Sequence, residues 1–206
     1  MFDDRSEAGR LLGAALVSYA NHATAVVLGV PRGGVVVAAE IARALHLPLD
    51  IVVASKLGAP GNPEFAVGAI DEDGVVLTNP AAPVSAEYLE RVGAERLAEV
   101  ARRAHAYRAG RAPLDVHDRT AIIVDDGIAT GLTTRAAIGY LRRHGAARVV
   151  VATPVAPPDT VEALGREADE VVALVTPRDF SAVGRWYREF TQTSDAEVIA
   201  ALASAG

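Results

Sequence analysis

The chain has 206 residues, half of them hydrophobic and 22% charged, with a formal net charge of −6. That length and balance suit one globular domain with a core of useful size. The acidic excess argues against nonspecific nucleic-acid binding. The lack of cysteine excludes disulfides, thiolate zinc sites and cysteine nucleophiles. Met1-Phe2-Asp3-Asp4-Arg5 lacks the apolar core of a signal peptide, and no apolar run nears the roughly 18 residues of a membrane span. A cytoplasmic protein with no nucleic-acid or membrane partner is expected. Of 20 basic residues, Lys56 is the sole lysine, which singles it out.

Taken in order, residues 6–19 carry Ala8, Leu11, Leu12, Ala15 and Leu16 at helical spacing. The apolar run 25–30 predicts a strand buried on both faces. Pro31-Arg32-Gly33-Gly34 is its turn, and 35–47 a helix closed by Pro48. Residues 49–54 are the next strand, ending at Ser55-Lys56. The stretch 57–65 holds two glycines and two prolines and predicts a mobile loop of the kind that acts as a lid. Residues 67–70 and 75–78 flank Asp71-Glu72-Asp73-Gly74, a hairpin with an Asp-Gly turn. A long helix follows over 85–107, then a buried strand at 121–124. Residues 134–144 and 159–167 read as helices, 149–152 and 170–175 as strands, and 195–203 as a closing helix. Alternating strands and helices predict an α/β fold: a mostly parallel central sheet flanked by helices, as one domain over 1–206. A loop and hairpin at 57–78 and a tail at 176–206 form a small hood.

The densest chemistry lies at 121–134, where an apolar strand runs into Asp125-Asp126-Gly127-Ile128-Ala129-Thr130-Gly131-Leu132-Thr133-Thr134 and then a helix. Helix-start amides are unpaired and the dipole adds about half a positive charge there, so the turn suits an anion. Thr130, Thr133 and Thr134 offer hydroxyls. A carboxylate repels phosphate, so Asp125 and Asp126 suit sugar hydroxyls or hydrated Mg²⁺ instead. A diol at one end and a phosphate at the other describe a ribose 5-phosphate unit. Pro31-Arg32-Gly33-Gly34 is a second strand–turn–helix anion cradle, with Arg32 as a fork of donors. The five histidines show no metal-ligand spacing, and no Gly-x-Ser-x-Gly elbow or Walker loop is present.

The 121–134 stretch resembles the 5-phosphoribosyl 1-pyrophosphate (PRPP) signature of type I phosphoribosyltransferases, with matches at Asp125, Asp126, Thr130, Gly131 and Thr133. Leu132 stands where many members have a second glycine. The opening Arg5-x-x-Ala8-Gly9 is similar to that of stand-alone bacterial members. The resemblance implies PRPP binding by Asp125, Asp126, Ala129, Thr130, Gly131, Thr133 and Thr134. It implies pyrophosphate binding by Arg32, Gly33 and Gly34, and catalytic roles for Arg32 and Lys56, the latter at the base of a closing loop. Mg²⁺ is the implied cofactor, met by Asp125 and Asp126 through water or as ribose-bound metal. Phe180, in the aromatic tail with Trp186, Tyr187 and Phe190, is the implied base-stacking residue. Thr153-Pro154 stands where 6-oxopurine enzymes carry a base-reading lysine, so the acceptor is left open. The implied reaction moves the 5-phosphoribosyl group from PRPP to a nitrogen nucleophile, a nucleobase, with release of pyrophosphate. The alternatives are a non-catalytic PRPP- or nucleotide-binding regulator on the same fold and another phosphate-binding α/β protein such as a sugar-phosphate hydrolase. PRPP and a base are the expected partners, and a homodimer is compatible.

Overall fold

The apolar runs become the strands of one parallel sheet. The computed structural model describes residues 1–82 and 84–204. In chain order the elements are α1 (Arg5–Ala15), β1 (Ala25–Gly29), α2 (Gly33–Leu45), β2 (Leu49–Ile51), β3 (Ala54–Ala59), β4 (Asn62–Asp71), β5 (Val76–Thr78) and α3 (Ala86–Arg108). Then come β6 (Thr120–Val124), α4 (Leu132–Arg143), β7 (Arg148–Val155), α5 (Pro158–Leu164), β8 (Glu170–Val175) and α6 (Asp195–Ala203). The main sheet has the order β2-β1-β6-β7-β8, every pair parallel. No described helix is long and apolar enough to cross a membrane.

Every residue of β1 and β6 is buried, because each face of the sheet carries helices. Side chains alternate between the two cores. Val27, Ile122 and Val124 join Leu12, Ile41, Val100 and Val198 on the α1, α2, α3 and α6 side. Val26, Leu28 and Ile123 join Ile138, Leu141 and Leu164 on the α4 and α5 side. Each such aliphatic side chain contributes roughly 1.5–3 kcal/mol when fully buried, so the central strands form the rigid floor on which the loops stand.

The direction in which the connections step across the sheet reverses between β1 and β6. From β1 the connection runs through α2 to β2 on one side, and from β6 through α4 to β7 on the other. The loops leaving β1 and β6 therefore lead to helices on opposite faces at the strands' C-terminal ends, the place where open α/β sheets bind ligands.

Two expectations need correction. The strand predicted over 49–54 is split: β2 ends at Ile51, and β3 starts a separate antiparallel sheet of order β3-β4-β5. The breaker-rich stretch 57–65 is largely strand rather than irregular loop. Ala59 pairs with Asn62 around a tight turn in which Gly61 has φ 73°. The breakers thus make a two-residue turn and the register shifts at Gly58, where a Cβ would lie 2.6 Å from Pro63 O. The Asp71–Gly74 turn forms as expected, linking β4 to β5, with Gly74 at φ 83°.

A buried ion cluster anchors this second sheet. Arg108 Nε donates to Asp50 at 3.2 Å, Nη1 to Glu72 at 2.7 Å and Nη2 to Ile51 O at 2.9 Å. The carboxylates also accept N–H groups from Ile51, Leu114 and Val53. On the other side Arg143, at the end of α4, pairs with Asp71 at 2.7 Å.

Candidate functional site

Asp125 and Asp126 sit at the reversal point, directly after β6. The Asp126 N–H donates to Asp125 Oδ1 at 2.9 Å. Arg5 Nε, from the start of α1, donates to Asp126 Oδ2 at 2.7 Å, and these two side chains are only 12% and 15% exposed. Burial first, and the Asp126 charge second, push the Asp125 carboxyl well above the usual carboxylate range. Burial also raises Asp126, opposed by Arg5. One guanidinium thus faces two carboxylates. The second carboxyl group, lacking a cation of its own, suits hydroxyl donors or an incoming cation.

The loop that follows is pinned from below. Ile128 N–H donates to Val155 O at 2.9 Å, and Thr160 Oγ1, on α5, donates to Ala129 O at 2.6 Å. A trans peptide points its C=O and N–H in opposite directions, so fixing Ala129 O on α5 turns the Thr130 N–H away from it. Ala129 and Thr130 are exposed. Gly131 caps α4 at φ 74°, a conformation that L side chains resist, and α4 carries no side-chain cap. The amides of its first turn therefore keep their donor capacity for an anion. Leu132 lies inside the helix packed on the second sheet, which accounts for an apolar residue there.

Thr134 corrects one expectation. It lies three and four residues ahead of Ala137 and Ile138, on the stripe of α4 that faces the sheet. Its side chain is fully buried, and Oγ1 has no hydrogen-bond partner. It brings an N–H to the turn rather than a hydroxyl, while Thr133 stays half-exposed.

The second cradle abuts the first. A Cβ on Gly33 would fall 1.9 Å from Asp126 Oδ2 and 2.6 Å from Arg5 Nε. One on Gly34 would fall 2.7 Å from Val124 O and 2.9 Å from the Asp125 Cα. These glycines therefore let the two loops touch. Arg32 opens α2 without a side-chain cap, and the Pro31–Arg32 peptide is cis. Its guanidinium lies 3.6 Å from Asp195 at the start of α6.

Lys56 lies on β3, opposite Ala69 of β4. Ala54 and Ala69 on that face pack against Leu132 and Ala136 of α4. Alternation along the strand puts Lys56 on the same face, toward the first turns of α4.

Three aromatic rings of the tail and the N-terminus pack on one another. Tyr187 is buried with Phe2, ring centroids 5.5 Å apart, and lies 5.0 Å from Phe190. Tyr187 Oη donates to Asp126 O at 2.5 Å; burial and the Asp126 charge raise its phenol, so it stays a donor. Val183 rests on the Asp125–Gly127 turn, where a Cβ on Gly127 would meet its Cγ1 at 2.3 Å. Phe180 is half-buried outside the ring cluster formed by Phe2, Tyr187 and Phe190. Arg5, Thr160 and Tyr187 join the site without having been predicted for it. Arg5 had a signal only as part of an opening pattern, Tyr187 only as part of the aromatic tail, and Thr160 had none for the site.

Comparison with known proteins bears on the family and the fold. The family model for the phosphoribosyl transferase domain matches residues 7–183. A Mycobacterium tuberculosis protein assigned by name to the phosphoribosyl transferases is 50% identical over 206 residues, covering 98% of this chain and 46% of the relative. The chain thus spans about half the length of such curated relatives. A uracil phosphoribosyltransferase of Thermoanaerobacter is 30% identical over 129 residues, 63% of this chain and 57% of that one. The crystal structure of TT1426 from Thermus thermophilus superposes with a TM-score of 0.83 at 46% identity, covering 99% of this chain and 98% of that one.

Proposed function

The chain belongs to the phosphoribosyl transferase family, and on that premise we propose that it transfers the 5-phosphoribosyl group of PRPP to a nitrogen nucleophile of nucleobase type, releasing pyrophosphate. One observation carries the reading. A half-buried acid pair, only one member of which is matched by a guanidinium, stands at the sheet's reversal point between two helices whose N-termini lack side-chain caps. Anion cradles on both sides of a diol-binding pair match a sugar with phosphates at both ends.

The amides of 130–134 hold the 5-phosphate, with Thr130 and Thr133 hydroxyls beside them. Asp125 and Asp126 accept hydrogen bonds from the ribose diol. Their charge also lies next to the ring carbon, where positive charge develops as the pyrophosphate leaves. The Arg32–Gly34 turn, the start of α2 and Lys56 face the leaving group. The hairpin of β3 and β4 is the element that closes over it and excludes water.

Mg²⁺ fits this set. Among the described residues no three His, Asp or Glu side chains converge as a protein-only metal site. Mg²⁺ instead takes one or two carboxylates plus substrate oxygens and water, and of Asp125 and Asp126 only the latter has a guanidinium partner, which leaves a carboxyl group for a cation to meet. When bound, it neutralises charge on the pyrophosphate.

The test is pyrophosphate release from PRPP and Mg²⁺ with a panel of bases that includes uracil and the purines. Turnover with one base is the expected outcome. Tight PRPP binding without turnover for any acceptor would favour a regulator on the same fold. No PRPP binding would end the reading.

A further inference from the structure

Asp126 is held by groups far from it in sequence. Its carboxylate accepts from Arg5 Nε at 2.7 Å, its carbonyl oxygen from Tyr187 Oη at 2.5 Å, and its N–H is engaged by Asp125. Each of the two outside groups is itself fixed. Arg5 Nη1 donates to Thr191 O at 2.7 Å, and the guanidinium lies 4.0 Å from the centre of the Phe190 ring. The N-terminal segment is zipped to the tail by Phe2 N–H to Trp186 O, Arg188 N–H to Phe2 O and Glu189 N–H to Asp3 O, at 2.7 to 2.9 Å. Gly33 leaves the space in which the Arg5–Asp126 pair lies.

An aspartate has two side-chain torsions. Fixing its N–H, its C=O and one carboxylate oxygen leaves the other oxygen a single direction. We propose that Arg5 and Tyr187 are positioning residues, and that the N-terminal segment and tail form a clamp that aims Asp126 at the vicinal diol of the sugar. The aromatic tail then acts on ribose recognition through Asp126 rather than by stacking on the base. This rests on the phosphoribosyl reading of the acid pair.

The experiment titrates ribose 5-phosphate and 2-deoxyribose 5-phosphate into wild-type protein and into Tyr187→Phe and Arg5→Gln, followed by calorimetry, with thermal unfolding as the check on folding. Wild type prefers the ribose. Removing one hydrogen bond from the clamp lowers that preference by roughly fivefold or more, while inorganic phosphate binds the variants as it binds wild type. Equal weakening of both sugars, with the preference kept, would show a purely structural contact and overturn the clamp alone. Absence of any ribose preference in wild type would instead overturn the reading of the acid pair, and the clamp with it. Tyr187→Phe keeps the ring and its packing, so the test does not depend on Arg5→Gln folding.

Discussion

Arg108 and Arg5 each meet a pair of carboxylates inside the protein, and the two clusters are finished differently. Around Arg108 the Asp50 and Glu72 oxygens are filled by the guanidinium and by three backbone N–H groups. Around Arg5 only Asp126 is paired by the guanidinium, and the Asp125 carboxyl is pushed up by burial beside it. A closed cluster has nothing left to bind and ties β2, α3 and the second sheet together. An open one carries acceptors and charge that a ligand can use. Residue type is the same in both, so satisfaction of the oxygens is what separates framework from site.

That contrast can be broken in four ways. The largest effect is expected from Asp125→Asn with Asp126→Asn, which removes two charged acceptors worth about 1.5–3 kcal/mol each. PRPP affinity should fall more than ~100-fold with the circular dichroism unchanged, and an undiminished calorimetric affinity would refute the open cluster as a site. Arg108→Ala should do the reverse. Leaving two buried carboxylates without their cation costs about 3–5 kcal/mol, read as a lower urea midpoint, while PRPP affinity of the folded fraction stays within about twofold of wild type. Thr160→Val is smaller: loss of one hydrogen bond, about 1 kcal/mol, should raise KM for PRPP roughly fivefold with little change in kcat, and Thr160→Ser should restore it. A Thr160→Ser variant as weak as Thr160→Val would deny the hydroxyl its part in orienting the loop.

The smallest effect is in pH. The folded Asp125 pKa lies above its ordinary 3.8, so the native state holds this proton longer than the unfolded chain. Its contribution is therefore full below pH ~4 and lost as pH rises through the folded pKa. Asp125→Asn should gain melting temperature over wild type across that window in ligand-free protein. A constant difference between the two across pH would show that Asp125 is not strained by its burial.

Much of the frame was legible along the chain because it is local. The apolar runs at 25–30 and 121–124 became the fully buried β1 and β6, and the Asp-Gly turn at 71–74 joins β4 to β5. The two strand–turn–helix loops assigned as candidate anion cradles were legible for the same reason, since each is contiguous. What was hidden depends on distance or on pairing. Pro60-Gly61 signals a break whether it interrupts a loop or turns a hairpin, so the β3–β4 ladder could not be read from it. Arg5 lies 121 residues from Asp126, and Thr160 lies 31 from Ala129. Nothing in either neighbourhood announces the contact. Thr134 looked like a ligand hydroxyl until the phase of α4 turned it toward the sheet.

The contact between the two loops has a consequence for how this protein can change. With the place of a Gly33 side chain already taken by an Asp126 oxygen, the two positions are not independent letters. A mutant library varied at residue 33 alone should return glycine, whereas one varied at both positions can recover bulk at 33 only where the acid at 126 has been shortened or lost. On the proposed reading, the turn assigned to the leaving group and the acid assigned to the sugar must then drift together.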